Sequence, residues 1–98
     1  MKPCKRIEII IEQPIASRVQ KRLDDIGVSG YTMLPGASGR GDRGTRREDD
    51  PTGTFTNCVF IVACDDDDEA ERVVAGIRPL IARSGGVCLV TDAYWVKH

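Results

Sequence analysis

A single histidine, His98, stands at the last position of this chain, so no serine–histidine or cysteine–histidine pairing is available to build an activated nucleophile. Carboxylates are plentiful, but none form an evident acid–base pair. The four cysteines, Cys4, Cys58, Cys64 and Cys88, sit in apolar runs without the C-x-x-C spacing of a zinc, redox or heavy-metal site, and read as buried, reduced packing residues. Long hydrophobic runs are missing too. Near the N-terminus only Ile9–Ile11 precede Glu12, too short for a signal-peptide core or a spanning helix, so the expectation is a soluble cytoplasmic protein. A formal net charge of −1 gives no global attraction to nucleic acid or anionic membrane, and any anion site must be local. Aromatic residues make up only 5% of the chain, and the first apolar run has none, which argues against RNA binding through stacked bases.

What is present fits one domain over residues 1–98, small enough to gain from association with its own copies. Arg6–Glu12 is rich in β-branched residues and too short for a helix, and reads as a buried first strand. From Pro14 to Ile26 the residues Ile15, Ala16, Val19, Leu23 and Ile26 recur at helical spacing, with Pro14 in the first turn and Gly27 as a C-terminal cap. Tyr31–Leu34 is a short second strand, and Phe55–Cys64 a third whose later half is apolar on both faces. Asp65–Glu69 is an acidic run opening an amphipathic helix that carries Ala70, Val73, Val74, Ile77, Leu80 and Ile81. Its charges suit the positive end of the helix dipole better than a metal site. Gly76 and Pro79 predict a kinked or irregular end to that helix. Ser84, Gly85 and Gly86 read as a turn, and Val87–Val96 as the last strand.

The order is β-α-β-β-α-β, which packs two helices on one face of a four-stranded antiparallel sheet: an α+β, ferredoxin-like fold. Burying the other sheet face against further subunits would remove an exposed apolar patch.

Between the middle strands, residues 35–54 contain five glycines and almost no apolar side chain, and connections this long in a compact domain usually carry function or disorder. The stretch Gly36–Arg47 combines small residues with Arg40, Arg43, Arg46 and Arg47, a composition suited to phosphate or a small planar anion. It is neither a Walker A loop nor a dinucleotide fingerprint. Glu48, Asp49 and Asp50 offset the arginines, so composition alone leaves the loop open between an anion site and a solvated linker.

Gly30, Tyr31, Thr32 and Met33, leading into Gly39, Arg40, Gly44 and Thr45, together with the final G-V-C-L-V-T-D-A strand, resemble the PII signalling proteins over essentially the whole chain. The likeness is greatest to divergent, carboxysome-associated members linked to inorganic-carbon uptake. The resemblance implies a homotrimer with an adenine nucleotide in each inter-subunit cleft. Carried over, Gly30, Tyr31 and Thr32 would face the adenine. Gly39, Arg40 and Arg43 would lie at the base of the long loop, the T-loop, near the phosphates, and Ser84, Gly85, Gly86 and Val87 would form the other phosphate-side loop. For Thr32 the plain alternative is strand propensity.

Three departures from the family shape the expected ligands. The T-loop has no tyrosine to modify, so regulation by uridylylation is not expected. Gly41 replaces a glutamine that would help hold magnesium-bound 2-oxoglutarate, and it leaves room beside Arg40, Arg43 and Arg46 for a small anion, for which bicarbonate is the expectation. The loop before the last strand lacks its usual lysine and no basic extension follows His98, so ADP or AMP is expected over ATP. The partner implied is a bicarbonate transporter, with membrane or carboxysome association only through it. No enzyme activity, metal or nucleic-acid partner is expected. Two competing readings remain: a structural trimer resembling the divalent-cation-tolerance proteins, without nucleotide affinity, and a nucleotide hydrolase, for which no catalytic base is in evidence.

Overall fold

The computed structural model describes residues 1–39 and 56–96. Strand β1 spans Lys2–Glu12, a single 3₁₀ turn Gln13–Ile15, helix α1 Ala16–Ile26, β2 Tyr31–Ala37, β3 Asn57–Cys64, helix α2 Asp67–Ser84 and β4 Val87–Trp95. The strands form one antiparallel sheet in the order β2-β3-β1-β4, the ferredoxin-like arrangement expected from the element order. The long β1 is central: Ile7 faces Val62 of β3 on one side and Val90 of β4 on the other.

Alternation along β1 and β3 decides which side chains enter the core. Ile7, Ile9 and Ile11, with Cys58, Phe60, Val62 and Cys64, point to the helices and are wholly buried. Against them pack Ala16, Val19 and Leu23 of α1 and Ala70, Val73, Ile77 and Leu80 of α2. The opposite face has no covering element among the described residues, and Leu34 and Leu89 stand there 48% and 50% exposed.

Several boundaries differ from expectation. β1 begins at Lys2 rather than Arg6 because β4 is long enough to pair with it as far as Trp95. Pro14 sits in the 3₁₀ turn, and the α-helix proper starts at Ala16. β2 runs past Leu34 to Ala37 through a register shift, which an edge strand tolerates even with Pro35 in it. α2 runs as one continuous helix through Gly76 and Pro79 to Ser84, which is therefore its last residue and not part of the turn. Tertiary contact accounts for this. Arg22 of α1 donates to the Gly76 carbonyl at 2.5 Å, and a Cβ at Gly76 would lie only 2.7 Å from Ile26 Cδ1, so glycine here allows the two helices to meet closely. Pro79 is exposed, where solvent can satisfy the carbonyl that its ring leaves unpaired. Cys4 and Cys88 are half-buried rather than buried, and all four thiols are free.

Candidate functional site

Gly27 ends α1 with φ 79° and turns the chain through Val28 and Ser29 into the edge strand β2. There Gly30, Tyr31 and Thr32 form one wall of a cleft of about 390 Å³. Ile61 and Ala63 of β3 make its apolar floor, Asp65 the rim beyond β3, and Trp95 of β4 reaches into it from the far edge. Alternation separates the side chains of the wall. The Tyr31 ring turns toward the helices, 5.9 Å from the Phe60 ring and tilted 53° to it, whereas Thr32 lies on the uncovered face. Tyr31 can therefore offer the cleft its backbone but not its ring.

The residues expected on the phosphate side lie elsewhere. Gly85 caps α2 with φ 76°, donating its N–H to the Ile81 carbonyl at 2.8 Å. Gly86, at φ 127°, passes so close to β1 that a Cβ would stand 2.8 Å from the Ile10 carbonyl oxygen, so this turn requires glycine. Val87 then pairs with Ile10 at the start of β4. Gly39 follows β2, whose last residue, Ala37, pairs with Asn57 beside Glu12. Ser84–Val87 and Gly39 thus share one end of the sheet, while Tyr31 and Thr32 lie in the rows of Ile7 and Glu8, abreast of the middle of β1. β2 and β4 are moreover its two opposite edges. One chain does not bring the two sets together. Arg40, Gly41, Arg43 and Arg46 lie outside the described residues.

A second groove, about 470 Å³, runs between α2 and β4, lined by Lys5, Asp67, Glu71, Val74, Arg78 and Val90 among others. It contains none of the expected site residues. Lys5 is bonded there to Asp92, and that bond and charge hold its ammonium pKa above the usual lysine value. The acidic run beside it is helix chemistry, as expected: the Asp66 carboxylate accepts the Glu69 N–H at 2.8 Å as an N-cap. No group of three or more metal-ligating side chains occurs among the described residues, and no described helix is long and apolar enough to cross a membrane.

The family model of the nitrogen regulatory protein P-II matches residues 4–98. The chain belongs to the PII family. Among solved structures, a similar one is CPII of Thiomonas intermedia, a nitrogen regulatory PII-like protein bound to ADP, AMP and bicarbonate. It is 26% identical, with a TM-score of 0.79 over 98% of this chain and 96% of CPII. CPII bound to ADP and bicarbonate is 28% identical, TM-score 0.74, over 93% of this chain and 86% of that one. A PII-like signalling protein of Thermus thermophilus, 18% identical, shares the fold with a TM-score of 0.73, covering 97% of this chain and 91% of the other. No curated protein sequence matches significantly. PII proteins are regulators. Gly30, Tyr31 and Thr32, which the resemblance assigns to the adenine, line one cleft in this chain. Trp95 was not among the expected site residues. Its only signal was that it is the single tryptophan of the chain, far from Gly30 in sequence.

Proposed function

We propose that this PII protein is a sensor that folds as one domain over residues 1–98, assembles as a homotrimer, and binds ADP or AMP in clefts completed between neighbouring copies. The observation that carries the reading is the placement of the two half-sites. Gly30–Thr32 begin one edge strand, while Ser84–Val87 lead into the start of the other, across the full width of the sheet. In this reading the nucleotide meets both by lying between two chains, the wall from one copy and the glycine turn from its neighbour. The uncovered sheet face supports assembly, because Leu34, Leu89, Val87 and Trp95 expose 43–50% of their surface where a neighbour would bury it.

The purine end suits the cleft at Thr32. Ile61 and Ala63 supply an apolar floor, Trp95 an aromatic plane, and the Ser29 and Thr32 hydroxyls and backbone of Gly30 and Tyr31 a polar edge. CPII, 26% identical, is bound to ADP, AMP and bicarbonate, which supports those ligands here. Bicarbonate is the second ligand of this reading, admitted by the small Gly41 beside the arginines of the loop, among which Arg40, Arg43 and Arg46 serve phosphate and bicarbonate between them. By linkage each ligand raises affinity for the other by the same factor, and the T-loop then presents a different surface to a partner. The partner in this reading is a bicarbonate transporter, and the output is control of inorganic-carbon uptake from the cytoplasm, at the membrane or carboxysome through that partner.

Titration calorimetry with ADP, AMP and ATP, with and without bicarbonate at fixed pH and ionic strength, tests this. ADP or AMP should bind more tightly than ATP, more tightly still with bicarbonate, and should change the emission of Trp95. Absence of binding by every adenine nucleotide would leave the structural trimer, and unchanged ADP affinity in bicarbonate would remove the coupling.

A further inference from the structure

Glu69 is an unusual residue in this chain: a carboxylate only 5% exposed. Burying a carboxylate is costly unless its oxygens are hydrogen-bonded. Here the donors are two backbone N–H groups and a hydroxyl: the N–H of Ser29 at 2.8 Å, the N–H of Asp65 at 2.8 Å and Ser29 Oγ at 3.2 Å. Desolvation alone would raise its pKa, but the bonds from Ser29 and Asp65 outweigh it and hold the carboxyl below the usual range. In an ordinary capping box the carboxylate in the first turn returns to the N-cap residue's own N–H. Glu69 instead reaches one residue further, to Asp65, and across to a second loop.

The two loops it joins are those that bound the cleft. Ser29 precedes Gly30 on the β2 rim, and Asp65 follows β3 on the other rim. We propose that Glu69 is a positioning residue for the nucleotide: it ties both rims to one buried carboxylate and so sets the width of the purine end before the ligand arrives. This rests on the nucleotide reading above. Helix capping alone does not need the arrangement, because Asp66 already caps α2 and the Ser29 contacts satisfy no group of that helix. What the contacts do is fix the backbone on which Gly30, Tyr31 and Thr32 are mounted. A preformed site loses less conformational freedom on binding.

Glu69→Gln is the informative change. The amide oxygen can accept from one rim, but the amide NH₂ then faces the other rim's N–H, and one donor is left without a partner. Asp66→Ala is the matching control, since it removes the cap of the same helix and leaves the clamp in place. Both variants should lower the melting temperature. Only E69Q should weaken AMP and ADP, about tenfold and by the same factor for each, because the clamp acts at the purine end and not at the phosphates. In the ligand-free wild type, the Ser29 and Asp65 amides, which lie in no helix or strand, should be protected from hydrogen exchange. Rapid exchange at either overturns the clamp even where E69Q does not fold. Wild-type binding with E69Q affinity within about twofold, or an equal loss in D66A, overturns the role of Glu69 alone. Failure of the wild type to bind either nucleotide sinks the sensor reading, and this role with it.

Discussion

The two faces of the sheet are built from the same strands and differ in almost everything else. On the helix side Ile7, Ile9 and Ile11 are wholly buried, and α1 and α2 supply the apolar surface they need. On the other side Ile10, Val59 and Ile61 are only half-buried, between Leu34 at one edge and Leu89 at the other. The first face is completed by the chain itself. The second carries apolar residues without a covering element among those described, and the cleft at Thr32 opens onto it. The contrast separates the face on which the stability of the fold rests from the face to which the proposed reading assigns assembly and ligand.

The comparison breaks most visibly in the covered face. Phe60→Ala should cost about 3–5 kcal/mol in urea unfolding, because the ring is fully buried between strands and helices with little room to collapse. The same measurement on Leu89→Asp should show a far smaller change in the folded monomer, since Leu89 is half exposed. Its effect should appear in sedimentation instead, as a self-association weakened by at least about tenfold, with ADP affinity falling alongside if the site spans two copies as proposed. An L89D protein that remains associated would place the interface elsewhere. The smallest effect concerns thiols of the covered face. Burial, with the neighbouring Glu69, Asp65 and Asp66 charges adding to it, pushes the Cys64 pKa up to about 11. Its reactive thiolate is therefore scarce at pH 8. Iodoacetamide should leave Cys58 and Cys64 unmodified in the native protein and label both in urea, as mass spectrometry of the labelled peptides would show.

Much of the covered face was legible in the sequence, because it depends on local pattern. The β-branched run around Ile9, the helical spacing of Val19 and Leu23, and the acidic start of α2 each carry their own signal. Errors arose where a distant partner overrides local preference. Gly76 and Pro79 argue for an irregular helix end unless one knows that Arg22 and Ile26 press against that turn. Pro35 and Gly36 read as loop unless one knows that they lie on an edge strand. Of the candidate site, the Gly30–Thr32 wall was readable as a turn leading into a strand, and Gly85 and Gly86 as a turn. That the two lie on opposite edges follows from topology, and the approach of Trp95 to the cleft from packing. The clamp at Glu69 was the least visible, since its carboxylate looks like one more charge in an acidic run.

The central place of β1 also bears on how the protein is made. β1 leaves the ribosome first among these elements, yet its neighbours β3 and β4 are synthesised only after α1, β2 and the T-loop. Until β4 emerges, the apolar flank of β1 that will face it has no native neighbour, and the pairings that close the sheet join residues far apart in sequence. The nascent chain is thus open to misassociation until β4 has emerged and paired with β1.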